Sequence, residues 1–218
     1  MSVHIHLVRP GRTTGDLRLL SEEDRDRAAS FRFDKDATHW IACRTALRVI
    51  LGRLTALPPA GVPLLSGPNG KPALATPFEG IHFNVTHCDD LALIAVAPFP
   101  VGIDVERWDR GRDLIGCEET FCHAHEICRL PAETSARADV LLKIWTAKEA
   151  ALKAWGSGLL SPPQELAVDF SGNPATASCD EDATVQRIFG LDHPALVAHS
   201  AYLSSAESSP DILYHWYP

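Results

Sequence analysis

The chain opens with alternating apolar and polar positions. Val3, Ile5 and Leu7 alternate with His4 and His6, and this period of two is typical of a strand with one buried face. Both histidines therefore lie on the opposite face of the predicted strand. The sequence offers no third ligand beside them, which favours ordinary surface residues over a metal site.

Two long segments follow the helical period instead. The first helix is predicted over residues 36–55, and the second over residues 137–155, where Gly156 and Gly158 are expected to end it. The apolar side of the first helix is formed by Trp40, Ala46, Leu47, Ile50, Leu51 and Leu54. Shorter helices are expected over residues 21–33, with Ser21 at the start, and 118–130.

Short apolar runs bounded by turn residues predict the remaining strands. They cover residues 81–85, 91–96, 101–106, 166–170, 185–189, 196–203 and 212–216. Residues 58–80 are rich in Pro and Gly and are predicted to form loops and turns. Strands and helices in mixed blocks favour an α+β fold over a regular βαβ repeat.

Composition and hydropathy indicate a folded, soluble protein. The chain is 45% hydrophobic and 22% charged, which is enough apolar material for a buried core. No apolar run approaches the roughly 20 residues that span a bilayer. The first eight residues alternate, whereas a signal peptide needs a continuous apolar stretch. We therefore expect a cytoplasmic protein.

The formal net charge of −8 is unevenly distributed. Residues 1–71 carry 11 Lys and Arg against 7 Asp and Glu, and the remaining residues carry 9 against 21. The first part suits an anionic ligand and the second part suits a cation. An acidic protein is a poor general binder of nucleic acid, because that affinity comes from clustered basic residues that neutralise phosphates.

Six cysteines are too sparse for a disulfide framework in a chain of 218 residues, so free thiols are expected. Cys117, Cys122 and Cys128 suggest zinc, since His123 and His125 lie among them. However, no CxxC pair occurs and the spacing matches no familiar zinc site. Small side chains packed around a helix are the preferred interpretation.

One predicted strand places two carboxylates together. Within Val101–Glu106, the period of two puts Asp104 and Glu106 on the same face. Neighbouring carboxylates repel each other unless a positive charge lies between them. Magnesium prefers such oxygen ligands and fills the rest of its shell with water and phosphate. An exposed strand with an acidic face is the alternative.

The second long helix carries a third acidic residue, in a row of side chains on one side of the helix. Trp145, Glu149 and Lys153 recur every four residues and share one side of the helix. A Glu–Lys pair at this spacing is ordinarily solvated. The tryptophan beside it indicates that the Glu149 carboxylate is partly buried and needs a partner such as a metal ion.

Two further motifs can bind an anion. Gly70-Lys71-Pro72 presents a lysine on a stiff turn, and a predicted strand shortly afterwards ends in Thr86-His87. Each of these residues is also an ordinary loop residue when taken alone.

Together the motifs are more specific. In chain order they read GKP, FNVTH, GIDVE and WTAKEAALK, and this series resembles the single-chain 4′-phosphopantetheinyl transferases that activate peptide and polyketide synthetases. The resemblance spans about Ser21 to Gly158. It implies an α+β fold of two similar α/β lobes, residues 1–100 and 101–218, with the active site between them.

The resemblance also implies an activity. The enzyme would transfer the 4′-phosphopantetheine group from coenzyme A to a serine of an apo acyl or peptidyl carrier protein and release adenosine 3′,5′-bisphosphate. Mg²⁺ would be the metal ion, with Mn²⁺ as an alternative. The enzyme would be a monomer with neither nucleic acid nor membrane as a partner.

Individual residues inherit roles by the same resemblance. The implied metal ligands are Asp104, Glu106 and Glu149, and the implied catalytic residues are Glu149, Lys153 and His87. Glu149, or a water on the metal ion, would take the proton of the serine. The implied coenzyme A contacts are Arg27, His39, Arg44, Lys71, Thr86, His87 and Lys153. A supporting role falls to Glu126.

The chain departs from the family pattern at two positions. Asp24 stands where some relatives have lysine, and His39 stands where arginine is frequent. Because of Asp24, coenzyme A affinity is expected to depend more on Arg25, Arg27 and Arg44. Histidine carries less charge than arginine near neutral pH, so His39 is expected to weaken the contact with the 3′-phosphate. Two other functions fit the same carboxylates: a metal-dependent nucleotide pyrophosphohydrolase, and a non-catalytic module that binds coenzyme A or a carrier protein.

Overall fold

The structure is a computed structural model that describes residues 1–67, 70–156, 162–179, 182–207 and 209–218. Its strands are β1 (Ser2–Val8), β2 (Leu64–Ser66), β3 (Pro72–Leu74), β4 (His82–Cys88), β5 (Leu91–Ala97), β6 (Val101–Arg107), β7 (Leu166–Asp169), β8 (Ala175–Cys179), β9 (Asp182–Gly190), β10 (His199–Ser205) and β11 (Asp211–Trp216). Its helices are α1 (Glu22–Ala29), α2 (Asp34–Thr55), α3 (Glu118–Phe121), α4 (Ala124–Ile127) and α5 (Thr134–Trp155). This mixed order of helices and sheets agrees with the predicted class.

Both long helices form where the periodicity predicts them. α2 and α5 each have 22 residues and begin two or three residues earlier than expected. α5 ends as predicted at Gly156, which adopts the left-handed conformation and donates its N–H to Leu152 O. Gly158, the second predicted stop, lies outside the described residues. Ser21 caps α1 as predicted, through a bond from the N–H of Asp24.

The prediction of one helix over residues 118–130 was wrong. The chain forms the short helices α3 and α4, separated by extended backbone at Cys122 and His123. His123 caps α4, and the Glu126 carboxylate accepts a bond from the N–H of His123 in return. Glu126 also accepts from the N–H of Val168 at 2.7 Å and pairs with Lys148. These contacts stabilise a break that the apolar pattern does not reveal.

The strands build two main sheets with the orders β11-β1-β5-β4 and β6-β10-β9-β8-β7, while β2 and β3 form a hairpin. The first sheet contains a strand from the far end of the chain. β11 pairs in parallel with β1, with His6 opposite His215. Residues 211–216 were assigned to the C-terminal lobe, but the strand they form lies in the first sheet. The division of the chain at residue 100 stays a prediction.

The core explains why β5 is buried on both faces. Its alternate residues Leu91, Leu93 and Ala95 pack against residues of β1, β6 and β10. The residues between them face α2 and its neighbours. One strand therefore separates a core between the sheets from a core under the first long helix, as its continuous apolar sequence allows.

The second long helix lies directly against β6. A Cβ atom on Gly102 would come within 2.0 Å of Ala150 O and 2.3 Å of Ala154 N, so only glycine permits this approach. We call this point the α5–β6 crossing. Asp104 and Glu106 follow Gly102 on the same face of β6, and the crossing therefore brings them to α5.

The same chain path occurs twice. β1, α2 and the β4–β5 hairpin follow one another, with β5 between β1 and β4 in the sheet. Likewise β6, α5 and the β9–β10 hairpin follow one another, with β10 between β6 and β9. All four pairings are antiparallel. None of the described helices combines the length and the apolar character needed to cross a membrane.

Candidate active site

Asp104 is the centre of the site. It is 5% exposed, and its Oδ1 accepts from Thr86 Oγ1 at 2.9 Å and from Lys153 Nζ at 2.6 Å. Its Oδ2 is buried and has no hydrogen-bond partner among the described residues. A buried carboxylate oxygen without a partner is costly, so this atom marks a place for a ligand.

Glu106 and Glu149 face the same space from β6 and α5. Burial raises the pKa of Glu149, Lys153 lowers it, and the charges of Asp104 and Glu106 raise it further. Burial likewise raises the pKa of Glu106, opposed by Arg110 and by a hydrogen bond from Trp145. The prediction that Glu149 is partly buried is confirmed, because its side chain is 20% exposed.

The three carboxylates suit a hard divalent cation. In the present arrangement no three His, Cys, Asp or Glu side chains of the described residues form a closed metal-binding group. Lys153 supplies the positive charge instead, 2.6 Å from Asp104 Oδ1 and 4.0 Å from Glu149 Oε2. The donors are all oxygens, Asp104 Oδ2 has no partner in the part of the chain that the structure describes, and the carboxylates repel each other, so the chemistry of these residues fits a magnesium ion.

A cavity of about 580 Å³ lies between α2 and the end of β4. The charged residues and histidines that line it are Lys35, Asp36, His39, Arg44, His87 and Asp89, and the aromatic rings at its wall are those of Phe31 and Trp40. A second cavity of about 540 Å³ contains Glu106 and Arg107, and His87 and Asp89 line both cavities. His87 and Asp89 thus connect the cavity beside α2 to the second cavity, which contains Glu106.

Asp24 orients an arginine at this cavity. Its buried carboxylate accepts from Arg44 Nε at 2.7 Å and forms a second ion pair with Arg48. Burial alone would raise the pKa of Asp24, but Arg48 and Arg44 hold it below its usual value. The departure from the family pattern at Asp24 therefore has a structural explanation, because this residue fixes the side chain of Arg44.

Other predicted coenzyme A contacts lie elsewhere. Thr86 is buried and donates to Asp104. Arg27 is exposed, with its guanidinium 5.1 Å from the ring of Phe31, which lines the cavity. Arg25 donates to Leu20 O. Lys71 donates to two backbone carbonyls of the second half of the chain, and Arg27, Arg25 and Lys71 are not among the described residues that line the cavity.

Sequence reasoning missed part of the cavity wall. Lys35 and Phe31 received no role, and Trp40 was assigned to the apolar side of α2, although it is half-buried at the cavity. The signal was present, because the lining residues of α2 recur at helical spacing. They are Lys35, Asp36, His39, Trp40, Cys43, Arg44 and Leu47.

Of the three cysteines expected to pack around a helix, only Cys122 is buried. All six cysteines are described, and all are free thiols. Cys122 is buried, whereas Cys117 and Cys128 are exposed. Burial raises the pKa of the Cys122 thiol to about 12, which disfavours the thiolate that zinc requires.

Comparison with known families decides the identity. Residues 100–202 match the model of the 4′-phosphopantetheinyl transferase superfamily, and residues 12–99 match the model of the 4′-phosphopantetheinyl transferase N-terminal region. The chain belongs to the 4′-phosphopantetheinyl transferase superfamily. Together the two matches include all the residues to which the sequence assigned a role in the site.

Several curated members of the superfamily are similar to this chain. The 4′-phosphopantetheinyl transferase HetI of Nostoc sp. is 35% identical over 146 residues, which is 64% of this chain and 61% of the relative. The 4′-phosphopantetheinyl transferase psf-1 of Bacillus pumilus is 33% identical over 141 residues, 64% of this chain and 59% of the relative. This chain therefore spans about three fifths of the length of these relatives.

A mammalian relative extends the comparison. The mouse L-aminoadipate-semialdehyde dehydrogenase-phosphopantetheinyl transferase is 29% identical over 170 residues, 71% of this chain and 54% of the relative.

Proposed function

We propose that this chain transfers the 4′-phosphopantetheine group of coenzyme A to a serine hydroxyl of an apo acyl or peptidyl carrier protein, in a reaction that requires Mg²⁺. The serine oxygen attacks the β-phosphorus, the pyrophosphate bond breaks, and adenosine 3′,5′-bisphosphate leaves. Membership of the transferase superfamily supports this proposal.

The observation that carries the proposal is the continuity of the site. Three carboxylates and Lys153 lie at one end, His39 and Arg44 line the cavity at the other end, and His87 lies between them. Transfer from a pyrophosphate depends mainly on positioning and on charge neutralisation. This arrangement can hold a polyanion along its length while its reacting phosphate lies beside the carboxylates.

Each residue then has a task. Asp104, Glu106 and Glu149 would hold the Mg²⁺ ion, and Mn²⁺ has the same ligand preference. When bound, the ion stabilises the developing charge on the phosphate oxygens. Glu149, or a water on the ion, would accept the serine proton. Lys153 neutralises the pyrophosphate.

Recognition of coenzyme A falls to the cavity beside α2. His39, Arg44 and His87 line it and would contact the phosphates of coenzyme A. Arg27 joins them from the edge, because it stacks on Phe31 at the cavity wall. Thr86 fixes the Asp104 carboxylate through its hydroxyl instead of binding phosphate directly.

The proposal includes two similar lobes with the site between them, divided near residue 100. The repeated path of strand, long helix and hairpin supports it, and the two family matches meet between residues 99 and 100. A pair of buried cations supports it as well. Arg48 and Lys148 are each the fifteenth residue of a 22-residue helix, and each pairs with a carboxylate that precedes its helix, Asp24 and Glu126.

The proposed setting is the cytoplasm, where the enzyme acts as a monomer without nucleic-acid or membrane partners. The net charge of −8 supports the exclusion of nucleic acid.

The test is the intact mass of an apo carrier protein after incubation with this chain, coenzyme A and Mg²⁺. We expect the mass of one phosphopantetheine to be added, and the addition to disappear with a chelator or with a carrier that lacks its serine. Hydrolysis of coenzyme A without a carrier would identify a pyrophosphohydrolase. Binding of coenzyme A with neither product would identify a binding module.

A further inference from the structure

The ammonium group of Lys71 lies at the α5–β6 crossing. Its Nζ donates to Val101 O at 3.1 Å and to Lys153 O at 2.5 Å. Val101 is the first residue of β6, and Lys153 belongs to the last turn of α5. The Lys71 side chain also reaches the end of this helix, where its Cδ lies 3.8 Å from the position of a Cβ on Gly156.

Two features make this contact suitable for holding the helix. Lys153 O is one of the last four carbonyls of α5, which have no partner within the helix, and a cation at a helix C-terminus is favoured by the helix dipole. Gly102 brings the helix backbone against β6 at the same point. Glycine permits the close approach, and Lys71 fastens it from the other half of the chain.

The crossing sets the geometry of the reaction centre. Asp104 lies two residues beyond Gly102 on β6, and Glu149 lies one helical turn before Lys153 on α5. The backbone that Lys71 holds therefore carries the Lys153 side chain, whose Nζ is 2.6 Å from Asp104 Oδ1. A shift of α5 along β6 would separate these groups.

We propose that Lys71 is a positioning residue that couples the two halves of the chain, by fixing the end of α5 on the start of β6 so that Lys153 and Glu149 stay aligned with Asp104. This inference rests on the proposed transferase function. It assigns to Lys71 a task other than the nucleotide contact that the family resemblance implies. Burial lowers the pKa of Lys71 to about 8, which agrees with an ammonium enclosed by protein.

The segment around Lys71 also connects the crossing to the coenzyme cavity. Pro72, the next residue, lines the cavity, and β3 begins there. A ligand in the cavity and the contact between Lys71 and the end of α5 thus involve the same short stretch of backbone.

The experiment compares Lys71→Met, Lys71→Arg and Lys35→Met by steady-state kinetics with coenzyme A and an apo carrier. Lys35 is the matched control because it is an exposed lysine that lines the cavity. For Lys71→Met we expect kcat to fall about 10- to 100-fold while KM for coenzyme A changes less than about threefold, since misplacement affects the transition state. Lys35→Met should raise KM and leave kcat nearly unchanged.

The guanidinium of Lys71→Arg can still donate to both carbonyls, so this variant should recover much of kcat. Hydrogen exchange provides a readout independent of turnover. Amides in residues 152–156 should exchange faster in Lys71→Met than in the wild type. In Lys35→Met their exchange rates should equal those of the wild type. Circular dichroism establishes that each variant is folded.

The outcomes separate the two proposals. If Lys71→Met raises only KM, or if exchange at the end of α5 does not change, the positioning role of Lys71 is wrong and the transferase assignment stands. If the wild type modifies no carrier, the transferase assignment fails, and the exchange comparison still decides whether Lys71 holds the helix.

Discussion

Lys153 Nζ lies 2.6 Å from Asp104 Oδ1, at the centre of a group of three carboxylates. The same ammonium is 4.0 Å from Glu149 Oε2. It therefore places positive charge among the carboxylates, which opposes a metal cation there. Under the proposed function, Lys153 would turn from Asp104 to the pyrophosphate of coenzyme A.

Lys153→Met should separate the effect of Lys153 on cation binding from its effect on the transfer reaction. Without the ammonium, no positive side chain repels the cation at Asp104, so Mn²⁺ binding in the absence of coenzyme A should tighten several-fold, measured by electron paramagnetic resonance. Transfer to the carrier should fall by about 10²-fold or more, because a group that stabilises transition-state charge is lost. Lys143→Met, an exposed lysine of the same helix, should change neither quantity. Weaker Mn²⁺ binding by Lys153→Met would show that the lysine does not compete.

Glu149→Gln should lower the activity and raise the stability of the metal-free protein. Turnover should fall by on the order of 10²- to 10⁴-fold because the general base is lost. The raised pKa of Glu149 means that the folded protein disfavours its charge, owing to burial and the neighbouring carboxylates. The variant should therefore melt a few degrees higher above pH 4.5 when metal is removed by a chelator.

The advantage of Glu149→Gln should vanish below the unfolded pKa, where the wild-type residue is neutral in both states. Glu119→Gln, at an exposed position, serves as the control. A melting temperature of Glu149→Gln below that of the wild type at neutral pH would contradict the assignment.

Arg44→Ala should weaken coenzyme A binding by about 10- to 100-fold, the range expected for a lost hydrogen bond to a charged group. Titration calorimetry with coenzyme A and with 3′-dephospho-coenzyme A locates the contact, because a smaller loss with the second ligand assigns Arg44 to the 3′-phosphate. The fold should persist, since Asp24 keeps its ion pair with Arg48. Arg32→Ala changes an exposed arginine just before α2 and is the control. Unchanged affinity in Arg44→Ala would remove Arg44 from the site.

Lys148→Met should destabilise the fold. Lys148 has a fully buried side chain that pairs with Glu126 at 2.7 Å and donates to Phe121 O and Pro163 O. Removing one partner of a buried pair leaves the other charge uncompensated, so we expect a loss of roughly 3–5 kcal/mol in the free energy of unfolding. Urea titration measures it, with Lys143→Met as the control. A loss below about 1 kcal/mol, the value of a surface pair, would show that Glu126 is satisfied without it.

His6 should make the protein sensitive to mild acid. The ring of His215 stacks on His6 and also on His4, to which it is hydrogen-bonded. Arg53 contributes further positive charge near His6. Burial, followed by these neighbours, lowers the pKa of His6 to about 4. The unfolded chain therefore binds the proton first, and stability is lost as pH falls from about 6.5 towards 4.

Urea unfolding at pH 7 and pH 5 tests the behaviour of His6. His6→Gln should lose less stability than the wild type between these two values, because it cannot be protonated. His125→Gln, at an exposed position, should behave like the wild type. Equal losses in His6→Gln and the wild type would exclude His6 as the acid-sensitive group.

The sequence by itself determined the features that depend on one element. The period of two places Asp104 and Glu106 on one face of β6, and the helical period places Trp145, Glu149 and Lys153 on one strip of α5. Backbone geometry sets these spacings whatever surrounds the element. The two 22-residue helices and most strands are predictable for the same reason.

Other features required contacts between distant segments. The predicted helix over residues 118–130 breaks because Glu126 binds His123, Val168 and Lys148, which no local pattern contains. The repeated path of the two sheets leaves no repeat in the residue letters. His4 and His6 gain a third histidine, His215, only because β11 pairs with β1.

The tertiary structure also decided which parts of the site meet. Gly102 allows α5 to touch β6, and this contact joins the two acidic strips into one cluster. The tertiary structure likewise shows that Asp24 orients Arg44 and that Lys71 contacts the end of α5. The neighbours of an element depend on how the whole chain buries its apolar surface, and a pattern within one element does not contain that information.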